Sequence, residues 1–253
     1  MLSYHFPHQT RFRLVQLTDC HLLARCDALY QGVQPYQQLA AVLHQLADNW
    51  PDAVLLTGDL SQDHSLASYQ LLNTLFQQVP VPVFWLPGNH DDGQPLGELL
   101  AAPPFLPHKS LYAAGWQLVL LDSTGPTPAG YFPRERRVEL AAQLDTHPAP
   151  CWLFAHHHPW PIGSSIDRHG WQDAAPFWQL LQQYPQVRGL AHGHCHHAYR
   201  RRRQGIELVG CPATSVQFQQ TADWQTDMQG PQWCEWYFHQ DGTIQLDFKR
   251  IMS

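Results

Sequence analysis

Apolar residues along the chain fall into two patterns. Residues 12–17, 53–56, 82–86, 151–155 and 187–191 are short and mostly apolar, as buried strands are. Two intervening stretches space their apolar residues as helices do. Over 35–50 these are Leu39, Val42, Leu43 and Leu46, with Pro51 as the stop. Over 65–78 they are Leu66, Tyr69, Leu72, Leu75 and Phe76. Strand, helix, strand, helix, strand predicts parallel β-α-β winding in the first half. Beyond Pro103, Pro104 and Pro107 the pattern becomes hairpin-like, with 110–113 and 116–121 flanking Ala114-Gly115. Further helices are expected over 134–144 and 173–184, the second capped by Asp173 and tolerating Pro176 in its first turn. The last part reads as antiparallel: 198–203 and 206–209 around Gln204-Gly205, then 213–218, then 232–239 and 243–250. Asp241-Gly242 between the final pair is a two-residue hairpin signal. No repeat or linker interrupts the pattern, so residues 1–253 are expected to form one domain.

Composition narrows the class. A chain of 253 residues can bury a large α/β core. No segment approaches the roughly 18 consecutive apolar residues of a membrane span. Residues 1–9 lack a basic region followed by an apolar run, so no secretory signal is read there and the cytoplasm is the expected location. The formal net charge of -6 argues against a protein that coats nucleic acid. A small anionic substrate would then need a local positive charge, which a metal can supply. The six cysteines are scattered without a Cys-x-x-Cys pair and are expected as free thiols. Histidines number 17 against only two lysines, Lys109 and Lys249. His5 and His8 are assigned to a surface tail, and His44 and His64 to helix faces. The clusters His156-His157-His158 and His192/His194/His196/His197 call for a chemical explanation.

Five predicted strand ends carry metal-type ligands: Asp19-x-His21, Gly58-Asp59, Asn89-His90, His156 and His194-x-His196. On extended chain, residues two apart point the same way, so Asp19 can act with His21 and His194 with His196. Parallel strands deliver their C-terminal ends to one edge of a sheet, which brings the five together. Imidazole with carboxylate and no required thiolate suits zinc, iron, manganese or nickel, and excludes a calcium cage or a cysteine-rich structural zinc site. Seven groups exceed one tetrahedral ion but suffice for two if Asp59 bridges them. Two ions about 3.5–4 Å apart can clamp a phosphate and lower the pKa of a shared water, whose hydroxide then attacks phosphorus in line.

The ordered set Asp19-Cys20-His21, Gly58-Asp59, Gly88-Asn89-His90-Asp91, His156-His157-His158-Pro159 and Gly193-His194-Cys195-His196 resembles the calcineurin-like metallophosphoesterases. The resemblance runs over about residues 12 to 250. Asp59-Leu60-Ser61-Gln62-Asp63, the run from His156 to Gly163, and Pro212 to Phe218 look most like the bacterial class III cyclic-nucleotide phosphodiesterases, which hydrolyse 3',5'-cyclic AMP to 5'-AMP. The resemblance implies an α/β fold, a four-layer αββα sandwich of two mixed β-sheets flanked by helices. It assigns Asp19, His21, Asp59 and His196 to one iron, manganese or zinc ion and Asp59, Asn89, His156 and His194 to a second. His90 is implied as the catalytic acid, with Asp91 orienting it. The substrate phosphate is expected against His21, Asp59, Asn89, His90 and His196. A one-residue slip in the triple histidine would select His157 in place of His156. The expected partner is a small cyclic nucleotide, with no nucleic acid and no membrane; the oligomeric state is not legible. Cys20 and Cys195 are expected to turn into the core. In the loop after the histidines, Trp160, Asp167, Arg168 and His169 stand as candidates to contact a base.

Overall fold

The computed structural model describes residues 2–91 and 93–251. The chain begins with strands β1 (Ser3–His5) and β2 (Arg11–Leu17), helix α1 (Pro35–Ala47), β3 (Ala53–Thr57), α2 (Leu66–Phe76) and β4 (Val83–Leu86). Next come α3 (Gly93–Leu99), β5 (Phe105–Leu106), β6 (Ser110–Ala113), β7 (Trp116–Leu120), α4 (Arg134–Thr146) and β8 (Cys151–Ala155). A 3-10 turn at Ser165–His169 precedes α5 (Ala174–Leu181), β9 (Val187–His192), β10 (Tyr199–Arg203) and β11 (Ile206–Gly210). The chain closes with β12 (Gln217–Phe218), β13 (Thr226–Asp227), β14 (Gln232–His239) and β15 (Ile244–Arg250).

One sheet has the order β15-β14-β2-β3-β4-β5, the other β1-β6-β7-β8-β9-β11-β10, and β12 pairs with β13 as a small ribbon. Strands β2 to β5 run parallel, with β14 antiparallel at the side of β2. In the second sheet β7, β8, β9 and β11 are parallel. Alternation along each strand builds the layers. Leu14, Leu55, Phe84 and Trp236 of the first sheet meet Leu118, Leu120, Trp152, Phe154 and Val209 of the second in one core. The opposite face of the first sheet, with Val15, Val54, Leu56 and Val83, packs on α1 and α2 through Leu39, Val42, Tyr69 and Phe76. Val119, Leu153, Leu190 and Leu208 do the same for α4 and α5 through Leu140, Leu144, Phe177 and Trp178. The expected αββα sandwich is the observed one.

Local chemistry explains the element ends. Pro35 occupies the first turn of α1, where its missing N–H is not needed. The Ser65 hydroxyl caps α2 by accepting the Ser68 N–H at 3.1 Å. Ala114 and Gly115 both take positive φ, 46° and 77°, the conformation a two-residue hairpin requires.

Several expectations need correction. The final hairpin has a three-residue loop: His239 N–H donates to Thr243 O at 3.0 Å, and Gly242 takes positive φ as the last loop residue. Asp173 precedes α5, but its carboxylate accepts the Phe132 N–H at 2.8 Å and pairs with Arg137 at 3.1 Å, so it does not cap. Of 213–218 only Gln217 and Phe218 are strand; the Gln217 side chain folds back on the Ala213 N–H and C=O, and that carbonyl also accepts the Gln232 N–H at 3.0 Å. The tail with His5 forms β1, and His5 stacks on Tyr112 at 4.5 Å. His64 lies before α2 at positive φ, not on its face. Helix α3 went unread because Gly93, Pro95 and Gly97 disguise a helical segment.

Trp152 is the keystone of the inter-sheet core. It lies 5.1 Å from the Trp236 ring, and a Cβ at Gly189 would come within 2.3 Å of its indole. Trp152→Ala is expected to lower unfolding free energy by about 3–5 kcal/mol in urea denaturation; a loss below about 1 kcal/mol would contradict this packing.

Candidate active site

Five strands end within one to four residues of the candidate groups. Leu17 of β2 precedes Asp19 and His21, Thr57 of β3 precedes Asp59, and Leu86 of β4 precedes Asn89 and His90. Ala155 of β8 leads directly into His156, and His192 of β9 leads into His194 and His196. The two sheets therefore contribute from facing edges. The paired residues converge, but not on extended backbone. Asp19, His21, Asp59, His194 and His196 all have positive φ, between 45° and 65°. Non-glycine residues adopt that conformation at a cost of about 1–2 kcal/mol each, so the surrounding contacts must impose it. Two glycines let the loops close. A Cβ at Gly88 would lie 2.1 Å from Asp59 Oδ1, and one at Gly58 would lie 2.6 Å from His156 Nδ1.

Carbonyls fix two imidazoles. His156 Nδ1 lies 2.8 Å from Thr57 O, which directs Nε2 to Asp59 Oδ1 at 3.3 Å and Asn89 Oδ1 at 3.2 Å. His196 Nδ1 lies 2.6 Å from Val216 O, and its Nε2 is 3.2 Å from Asp19 Oδ1 and 3.0 Å from His21 Nε2. Such second bonds orient imidazoles that ligate metals. Asp19 accepts the His194 N–H at 3.0 Å, while buried His194 Nε2 has no hydrogen-bond partner among the described residues. Three groups bring ligating atoms within 4.8 Å of one another: Asp19, His21 and His196; Asp19, Asp59 and His156; and His156, His157 and His194. These side chains could hold metal. His157 is already engaged at both nitrogens, by Ser123 Oγ at 2.9 Å and Pro128 O at 3.2 Å.

Burial sets the electrostatics. It pushes Asp59 toward a raised pKa, but His156 overrides it and holds the carboxyl well below the usual carboxylate range. Asp19 is lowered likewise, with His196 outweighing burial. For His156, burial is outweighed by Asp59, and the imidazole rises to about 9. Burial brings His21 down to about 3 and His194 well below its ordinary value. The site thus carries two ionised carboxylates beside neutral His21 and His194, a field that attracts cations.

A cavity of about 240 Å³ opens over these groups. Its floor is His21, Asp59, Asn89, His90, His194 and His196, and its walls include Tyr30, Pro128, Ile166, His169, Phe218 and Trp224. All five residues expected against a phosphate line it. Of the loop candidates only His169 does. Trp160 instead lies under the Arg203 guanidinium, 3.2 Å from the ring centroid. Asp167 accepts the N–H groups of Ile162, Gly163 and Ser164 at 2.8–3.1 Å and faces His158 Nε2 at 3.1 Å, and Arg168 donates to Ser165 O. The sequence reading missed Tyr30, Pro128, Ile166 and Trp224; Phe218 lay in a stretch already singled out.

Asp91 is a correction. Its carboxylate accepts N–H groups from Leu60, Ser61 and Gly88 at 2.9–3.2 Å and the Tyr69 hydroxyl at 3.3 Å. Among the hydrogen bonds of the described residues, none joins it to the His90 ring. Burial and the Asp59 charge push Asp91 up to about 6 despite those donors. It clamps the Asp59 loop to the Gly88 turn. His90 is positioned through its backbone, its N–H donating to Asp59 Oδ1 at 2.8 Å.

A model of the calcineurin-like phosphoesterase family matches residues 12–198, and the chain belongs to that family. A protein of Vibrio vulnificus named 3',5'-cyclic adenosine monophosphate phosphodiesterase CpdA is 34% identical over 252 residues, covering 97% of this chain and 92% of the relative. The protein of that name from Pseudomonas aeruginosa is 34% identical, covering 94% of this chain and 89% of its own. Among solved structures, a dimetal phosphatase from Danio rerio superposes with a TM-score of 0.71 over 94% of this chain and 96% of its own at 14% identity, a likeness of fold.

Two predictions follow from this geometry. Asp91→Ala leaves three buried N–H groups without their acceptor and is expected to cost about 2–4 kcal/mol in urea denaturation. Cys20 and Cys195 are buried, and burial raises Cys20 to about 12 and Cys195 well above its ordinary value. Only Cys26 is exposed, so a thiol reagent at pH 8 should titrate one thiol in the native protein and six after denaturation. Fast native labelling of Cys20 would contradict its placement in the core.

Proposed function

We propose that the chain is a dinuclear metal-dependent phosphodiesterase that hydrolyses 3',5'-cyclic AMP to 5'-AMP. The convergence of Asp59, Asn89, His21, His194 and His196 on a single cavity, with Asp19 and His156 within ligating distance of them, carries this reading. The near-full-length similarity to relatives named for that activity directs it to cyclic AMP. In this reading Asp19, His21, Asp59 and His196 hold one ion, and Asp59, Asn89, His156 and His194 hold the other. The donors suit such ions. His156 and His196 are tied through Nδ1 and offer Nε2, and the partnerless, buried His194 Nε2 is the kind of atom a cation satisfies. The mixed oxygen and nitrogen set favours iron, manganese or zinc. His156 rather than His157 is the ligand, since His156 Nε2 faces the candidate ligands Asp59 and Asn89 while both His157 nitrogens are held by Ser123 and Pro128.

Bound there, the ions would supply a water of lowered pKa and neutralise charge on the phosphate. The protein's own groups do the rest. Asn89 is a neutral amide, so the site stays more positive than a third carboxylate would leave it. The phosphate rests against His21, Asp59, Asn89, His90 and His196. His90 protonates the departing 3' oxygen, a contribution typically of ~10²–10⁴-fold. The substrate is a small molecule, and the cytoplasm, where cyclic nucleotides act and thiols stay reduced, is the proposed compartment.

The decisive assay compares 3',5'-cyclic AMP, 2',3'-cyclic AMP and a glycerophosphodiester with the protein loaded with manganese, iron or zinc. Hydrolysis of the other esters without 3',5'-cyclic AMP would overturn the substrate, and absence of stoichiometric metal would overturn the chemistry. His90→Ala is expected to keep its metal and lose about 10²–10⁴-fold in kcat. Loss of metal in that variant would instead make His90 a ligand.

A further inference from the structure

The cavity has two chemically distinct zones, and the proposed ester chemistry uses only one. Its floor is polar and ligand-rich, while one wall is aromatic: Tyr30, Phe218 and Trp224. Two of these rings back floor imidazoles. Tyr30 stacks on His21 at 4.6 Å, and Phe218 lies 3.9 Å from His196 with the planes 9° apart. Trp224 differs. It meets Phe218 at 4.2 Å and 54°, and remains 45% exposed at the cavity mouth. A bare phosphodiester gives no reason to hold an indole there in water. An indole packed on a second ring at the rim of a ligand-rich cavity, with its outer face in water, is suited to receive another flat ring.

The loop that carries Trp224 is held in place. It joins β12 to β13, with Gln219 N–H donating to Gln225 O and Thr221 N–H to Gln219 O, both at 2.9 Å. The Thr221 hydroxyl donates to Asp223 O at 2.8 Å. Ser165 N–H donates to Thr221 O at 2.9 Å, which ties this loop to the 3-10 turn bearing Ile166 and His169 on the cavity wall. The indole is therefore pre-organised, and stacking on it costs little ordering. The cavity, about 240 Å³, is small for a whole nucleotide, because ligand sites usually run from about 300 Å³ upward. With the phosphate on the floor, the remainder of the ligand must extend to the mouth, where Trp224 stands.

We propose that Trp224 is a specificity-determining residue that stacks on the nucleobase of the substrate, so that the site selects planar aromatic phosphoesters over aliphatic ones. This rests on the cyclic-nucleotide reading above and adds to it the residue that reads the base. A ring stacked on a base is typically worth a factor of about 5–150 in affinity.

The test compares 3',5'-cyclic AMP with ribose 3',5'-cyclic phosphate, the same ester without a base, in wild type, Trp224→Ala and Trp224→Phe. Trp224→Ala should raise KM for cyclic AMP by about 5–150-fold with kcat and metal content unchanged, and Trp224→Phe should recover most of the loss. Turnover of the baseless ester should not respond to either substitution. Calorimetric titration with 5'-AMP should show the same weakening in Trp224→Ala. An unchanged KM and 5'-AMP affinity in that variant, or an equal loss on the baseless ester, overturns the proposal. Failure of the wild type to hydrolyse cyclic AMP at all is the separate result that overturns the underlying function.

Discussion

Asp19 and Asp59 are taken almost wholly out of water, and much of the surrounding structure compensates for that. An ionised carboxylate loses several kcal/mol or more on such burial unless cations and donors replace its hydration. Asp59 receives the His90 N–H and faces His156 and His21, and Asp19 receives the His194 N–H and faces His196. Every one of these partners sits just beyond a strand end. The left-handed backbone at five of the site residues and the close approach at Gly58 and Gly88 follow from the same demand, since donors can reach the carboxylates only if the loops turn sharply. Neutral imidazoles at His21 and His194 and the proton held by His156 are the electrostatic result.

Most of the layer architecture was legible because strand and helix periods differ. The alternation that puts Leu14 and Leu55 toward one layer and Val15 and Val54 toward another is present in the residue types themselves. The candidate site was legible for a related reason: polar groups that follow an apolar run are forced to the end of a buried strand. What escaped was set by side chains that replace backbone partners. Gln217 takes the Ala213 N–H, Asp173 gives up its cap for Phe132 and Arg137, and Asp91 turns away from its neighbour His90 to hold three N–H groups. Local sequence gives no sign of such choices, because the competing donors come from distant segments. Trp224 was missed because it lies 28 residues beyond His196 and reaches the cavity only through a two-strand ribbon.

The fold by itself leaves function open, since the solved neighbour matches at low identity across nearly the whole chain. What narrows it is the contrast inside one cavity. The floor answers to charge and the wall to shape, and the two are carried by different parts of the chain. The floor belongs to the strand ends, whose positions the sandwich fixes. Beside Tyr30 and Pro128, the wall is built by the β12–β13 ribbon and the turn at Ser165–His169, which hydrogen-bond to each other. A substitution at Trp224, whose ring packs on Phe218 and not on a floor imidazole, can therefore alter which ester is held while leaving the carboxylates and their partners undisturbed.

The candidate ligands are divided between the two sheets. Asp19, His21, Asp59 and Asn89 follow strands of one, and His156, His194 and His196 follow strands of the other. Any cation that satisfies them is bonded to both layers at once, and neither layer alone presents a complete set. Such an ion would act as a rivet across the sandwich, in a protein whose six cysteines form no covalent bridge. Its binding free energy adds to the stability of the assembled layers and to nothing less than the assembled layers. Chemistry and mechanical integrity would then depend on the same few atoms, and losing such an ion would leave the seam to the apolar core between the sheets alone.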